Sequence, residues 1–192
     1  MNLFFRIVCA ALIVQSVGAM ASDRPADRPA EKPLETVVSL DLPRYLGRWY
    51  EIAKFPNWFQ KKCVANTSAQ YSLQSDGRVK VLNRCQREQG TMDEAVGVAR
   101  QLGGPTSPRL EVRFAPAWLS WLPMVWGDYW VVDLDPDYQL VAVSEPRRDY
   151  LWILSRSPTV PAERYAALIT RLQAKGLDTS RLELTPQGEV KQ

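Results

Sequence analysis

Between Arg48 and Ser155, apolar and polar side chains alternate in short runs separated by turn residues, the pattern of an all-β sandwich or barrel. The alternation predicts eight strands, over Arg48–Lys54, Thr67–Leu73, Arg78–Cys85, Met92–Arg100, Arg109–Phe114, Gly127–Leu134, Gln139–Glu145 and Asp149–Ser155. Ser75-Asp76-Gly77 is a strong hairpin signal, because Asp-Gly supplies the positive φ that a tight turn requires. Asp135-Pro136-Asp137 and Pro146-Arg147-Arg148-Asp149 mark two later turns. Eight strands in up-and-down order close most simply into one antiparallel barrel, which removes the exposed edges. After Ser155 the period changes. Tyr165, Leu168, Ile169 and Leu172 fall at i, i+3, i+4 and i+7, one stripe of an amphipathic helix. Pro161 and Gly176 sit where helix ends prefer them. A helix with one apolar stripe packs on the outside of the barrel, and a short strand over Leu182–Thr185 completes the chain.

The 192 residues suffice for one domain with a substantial core plus leader segments. The formal charge of +3 is scattered along the chain, which argues against nucleic acid as a partner. Histidine is absent from the sequence. That removes the commonest general base and most zinc and haem sites. Residues 1–21 read as a secretory signal peptide, with Arg6 before an apolar run from Ile7 to Val17 and Ala19-Met20-Ala21 as the cleavage signature. Cys9 lies inside that run after Arg6-Ile7-Val8 and reads as an ordinary leader residue. Acylation at Cys9 is the alternative. Residues 22–36 repeat Asp-Arg-Pro-Ala and then Glu-Lys-Pro, a charged Pro-rich linker that cannot build a core. Residues 37–187 form the folded domain. Cys63 and Cys85 flank a predicted hairpin. In an exported protein two cysteines are most simply a disulfide, with two separate buried thiols as the alternative.

The pattern is organised around Tyr45-Leu46-Gly47-Arg48-Trp49-Tyr50-Glu51-Ile52, where one glycine turns the chain into a strand and a tryptophan follows two residues later. Two further blocks stand in order behind it: Gly127-Asp128-Tyr129-Trp130-Val131, and Tyr150-Leu151-Trp152-Ile153-Leu154-Ser155-Arg156-Ser157-Pro158. With these three blocks the chain resembles the lipocalin family, most closely its bacterial outer-membrane members and the apolipoprotein D type. Gly127 departs from the threonine usual in the second block. The resemblance implies an eight-stranded calycin-type barrel closed at one end by Gly47, Trp49 and Arg156, with the guanidinium over the indole. It also implies a small ligand inside. No cofactor or metal is expected, because two sulfurs without histidine make a poor metal site.

An apolar slot with few polar groups suits a fatty acid or a lysophospholipid. Strand parity assigns Ala69, Tyr71, Val79, Val81 and Phe114 to the cavity. The first long loop adds Phe55 and Trp58, with Phe59 beside them. The loop from Ala115 to Trp126 adds Trp118, Trp121 and Met124, where a loop is ordinarily polar. Lys61, Lys62 or Arg113 would meet a head group at the mouth. Two rival readings remain. The tryptophan loop would dock a membrane or a partner. Alternatively, a carboxylate and a tyrosine, Glu51 with Tyr71, would support lipid chemistry, although no paired catalytic constellation stands out. The expected location is the periplasm or the periplasmic face of the outer membrane.

Overall fold

A computed structural model describes residues 32–188, so the leader and most of the linker lie outside the described residues. Eight strands form one closed antiparallel barrel: β1 (Gly47–Lys54), β2 (Ala65–Leu73), β3 (Val79–Gln86), β4 (Met92–Gln101), β5 (Arg109–Arg113), β6 (Gly127–Leu134), β7 (Leu140–Ser144) and β8 (Leu151–Ser155). Each pairs with the next, and β1 pairs with both β8 and β2, which closes the ring. The strand β9 (Glu183–Leu184) is added on β1. Strand ends differ from the sequence expectation by a residue or two, and Phe114 falls just beyond β5. A four-residue helix, α1 (Leu42–Tyr45), has no counterpart in the expectation. Its signal was local: Asp41 caps the Arg44 amide at 3.2 Å, and Pro43 sits in its first turn.

Period-two alternation sorts the buried side chains into two cores. Inside the barrel lie Trp49, Ala69, Tyr71, Val79, Val81, Ala99, Leu110, Val131, Val141, Val143 and Leu154. Outside it, Ala53, Phe55, Val132, Leu140, Ala142, Leu151 and Ile153 pack against α2 (Ala162–Ala174), which presents Leu168 and Leu172. The buried Asp133 carboxylate holds this helix through a two-pronged contact with Arg171, both bonds 2.8 Å. Leu34 is also buried in the outer core, and the Val37 amide donates to the Val131 carbonyl at 2.9 Å. The last residues assigned to the linker are therefore packed on the domain rather than free of it, because Leu34 finds apolar cover there.

Three bulges shift the alternation. One between Glu51 and Ala53 leaves Glu51 opposite Leu154, inside, and Ala53 opposite Ile153, outside. Direct pairing of β1 with β2 is confined to Gly47–Tyr50. Beyond it the C-terminal segment fills the seam. The Thr185 amide donates to the Ile52 carbonyl and the Asn66 amide to the Pro186 carbonyl. The Gln187 side-chain amide bridges the carbonyls of Glu51 and Thr67, at 2.7 and 2.9 Å. Cys63 and Cys85 are joined in a disulfide that ties the β1–β2 loop to the end of β3.

Candidate functional site

One end of the barrel is shut. Gly47 has a φ of +96°, and a Cβ there would lie 3.2 Å from the Arg156 guanidinium, so both backbone and space require glycine. Trp49 is fully buried; its Nε1 donates to the Tyr45 carbonyl at 2.8 Å. Arg156 lies 3.9 Å over the Trp49 ring and donates to the carbonyls of Arg48, Arg44 and Tyr138. A desolvated guanidinium over an indole is worth on the order of 1 kcal/mol or more. An indole under a guanidinium thus closes this end of the barrel.

Three tyrosines on the inner side of this closed end form the floor of the interior. The Tyr129 hydroxyl lies 2.6 Å from that of Tyr45 and 3.0 Å from that of Tyr71. The rings of Tyr45 and Tyr71 stack at 5.7 Å. Burial pushes the Tyr71 phenol up to about 12, and those of Tyr45 and Tyr129 well above the usual range. The β2–β4 wall beside them is small and apolar: Ala69, Val79, Val81 and Ala99, with Val81 opposite both Tyr71 and Gly97 in register. A Cβ on Gly97 would come within 2.8 Å of the Phe114 ring and of the Arg113 carbonyl, so the ring packs directly on the Gly97 backbone.

Nearer the open end a buried carboxylate is held in a network. Glu51 accepts from the Thr185 hydroxyl at 2.6 Å and from the Gln60 amide at 2.8 Å. The Gln60 carbonyl in turn accepts from Asn57 at 2.7 Å and from the Trp152 indole at 2.9 Å. Burial raises the Glu51 carboxyl, partly offset by the bonds from Thr185 and Gln60. Phe59, Tyr150 and Trp152 form an aromatic cluster beside this network, with ring centres 5.7–6.3 Å apart. The interior thus has a hydroxylic floor, small side chains on its β2–β4 wall, and an aromatic collar with one acid towards the open end.

This order of features has known parallels. A family model described as a lipocalin-like domain matches residues 40–187. The chain belongs to the lipocalin family. It is 41% identical over 158 residues to temperature-induced lipocalin-1 of Arabidopsis thaliana, covering 81% of this chain and 84% of that one. Outer membrane lipoprotein Blc of Escherichia coli is 37% identical over 148 residues, 76% of this chain and 79% of the relative. Apolipoprotein D of Mus musculus is 35% identical over 156 residues, 78% of each. Among solved structures, insecticyanin from the tobacco hornworm Manduca sexta superposes with a TM-score of 0.62 at 19% identity, over 84% of this chain and 86% of that one. Lipocalins are generally binding proteins for small hydrophobic molecules rather than enzymes.

The residues singled out from sequence divide sharply. Ala69, Tyr71, Val79 and Val81 line the interior, with the Phe114 ring at its rim. Phe55 does not: it is buried in the outer core, with Arg181 4.3 Å over its ring, because the bulge before Ala53 reversed the parity of β1. Trp58, Trp118, Trp121 and Met124 do not line the barrel either; they project at the open end, 73, 72, 75 and 86% exposed. Arg113 is no head-group contact, for it turns outward and is buried near Trp126, 5.3 Å away. Lys62 is engaged with Asp93 at 2.5 Å, while Lys61 is exposed. Glu51 and Tyr71 share no hydrogen bond, each being held in a separate network. Sequence reading passed over Tyr45, Tyr129, Tyr150 and Trp152. Tyr150, Trp152 and Leu154 alternate along one strand and were visible by parity alone.

Proposed function

We propose that this lipocalin binds one fatty acid or lysophospholipid inside its barrel, for transport or storage in the cell envelope. The observation that carries this reading is a closed barrel, shut at one end by Trp49 and Arg156, whose β2–β4 wall turns Ala69, Val79, Val81, Gly97 and Ala99 inward. Side chains this short leave room in an eight-stranded barrel for one narrow ligand. Apolar walls exclude a polar solute, and the carboxylate or phosphate of a lipid would stay at the mouth near Lys61. An envelope location is supported by the leader-like first 21 residues, by the disulfide, which persists in oxidising compartments, and by similarity to outer membrane lipoproteins. The direct test is titration of the purified protein with palmitate and lysophosphatidylcholine, read by tryptophan fluorescence. Saturable one-to-one quenching by at least one lipid is expected. No response to either would overturn the reading.

A second reading adds to the first, and the open-end tryptophans favour it. Trp58, Trp118 and Trp121, with Met124, stand largely exposed on two loops at the open end, and indoles partition to the membrane interface. In this reading the mouth touches a bilayer when lipid is loaded or released. Alanine at both Trp118 and Trp121 is expected to abolish co-flotation with phospholipid vesicles while the palmitate titration stays unchanged. Equal flotation by the variant would remove the membrane contact.

A further inference from the structure

The three tyrosines at the barrel floor obey a proton count that the lipid reading leaves unused. Each hydroxyl brings one proton, and the three are linked in a chain by two hydrogen bonds, Tyr45 to Tyr129 at 2.6 Å and Tyr129 to Tyr71 at 3.0 Å. Whichever way the bonds run, two protons are used and one is left to donate elsewhere. Among the described residues no further acceptor meets any of these hydroxyls. A buried O–H gains from every acceptor it meets, so the chain is suited to offer its third proton to a bound molecule. Tyr71 on β2 and Tyr129 on β6 face the interior from opposite sides of the barrel, and Tyr71 stands opposite Val81 in register.

We propose that this chain of hydroxyls is a hydrogen-bond donor for an uncharged oxygen, hydroxyl or carbonyl, at the leading end of a long apolar ligand. The inference rests on the barrel being the lipid site and specifies which lipids it prefers. Three observations argue for an uncharged oxygen rather than a carboxylate. The three phenols are buried and neutral, so a carboxylate beside them would lose its water and meet no uncommitted positive charge among the described residues. The nearest guanidinium, Arg156, is already committed to the Trp49 ring and three backbone carbonyls. The buried Glu51 carboxyl lies along the way in, close enough to act electrostatically on Tyr71. Tyr71 is six residues along β2 from Ala65, about 15 Å along the barrel axis at the usual strand rise and tilt. A long acyl chain spans that depth, with its acid group at the mouth and an ω-oxygen at the floor.

The experiment compares palmitate with ω-hydroxypalmitate in the wild-type protein and in the Tyr71→Phe/Tyr129→Phe double variant, by competitive displacement of a fluorescent fatty acid. In a purely apolar barrel the added hydroxyl must be desolvated without compensation, so ω-hydroxypalmitate would bind the more weakly. The proposal expects it to bind wild-type protein at least as tightly as palmitate. It expects the ratio of the two affinities to fall about tenfold in the double variant, the usual effect of removing a hydrogen-bond partner. Weaker binding of ω-hydroxypalmitate than of palmitate to wild-type protein overturns the inference and leaves the lipid reading standing. If neither fatty acid binds, the lipid reading fails and the inference fails with it. The wild-type comparison decides the matter even if the double variant does not fold.

Discussion

Replacing Trp49 by alanine lowers the unfolding free energy by about 3–5 kcal/mol, the range for truncating a buried large aromatic. The loss is greater than that of one side chain's contacts. Trp49 is fully buried at the closed end, and its indole satisfies the Tyr45 carbonyl. Its ring also supports Arg156, whose three bonds to Arg44, Arg48 and Tyr138 tie the N-terminal helix, β1 and the β6–β7 turn to one another. With alanine at 49 the guanidinium loses its platform, and the carbonyl of Tyr45 loses its donor. Phenylalanine at the same position keeps a ring under Arg156 and is expected to cost clearly less. Urea unfolding monitored by circular dichroism measures both. A loss below about 1 kcal/mol for alanine would show that the closed end does not depend on this stack.

Placing tryptophan at Val81 weakens palmitate binding about a hundredfold, or roughly 2.7 kcal/mol. Val81 pairs with Tyr71 on one side and with Gly97 on the other, and its side chain is buried in the barrel interior. An indole there occupies the volume proposed for the acyl chain. The control is Lys80→Trp, one residue away on the same strand but exposed on the outer face, which is expected to leave affinity unchanged. Equal affinities for both variants would place the ligand outside the barrel.

The strand order, the outer helix and the closed end were legible because each rests on a short-range rule. Alternation gives strands, a change of period gives a helix, and a glycine of positive φ before Trp49 gives the turn. The interior was legible only where that alternation runs undisturbed. Ala69, Tyr71, Val79 and Val81 follow simple parity, whereas Phe55 lies beyond the bulge between Glu51 and Ala53 and so faces α2. A bulge adds one residue without a marked sequence signature, and every later side chain changes face. The tryptophan loop misled for a different reason. Apolar composition says that a residue gains by being covered, but not what covers it, and Trp118 and Trp121 face outward. The Glu51–Gln60–Trp152 network and the tyrosine chain join residues up to 92 positions apart, so no local window contains them.

The central claim, that the barrel carries one lipid, is tested most directly by native mass spectrometry of the protein purified from its own cell envelope, with extraction and identification of what is released. The account predicts a one-to-one complex with a fatty acid or lysophospholipid, lost in the Val81→Trp variant. A protein recovered without ligand, and unable to take up either lipid when supplied, would contradict it.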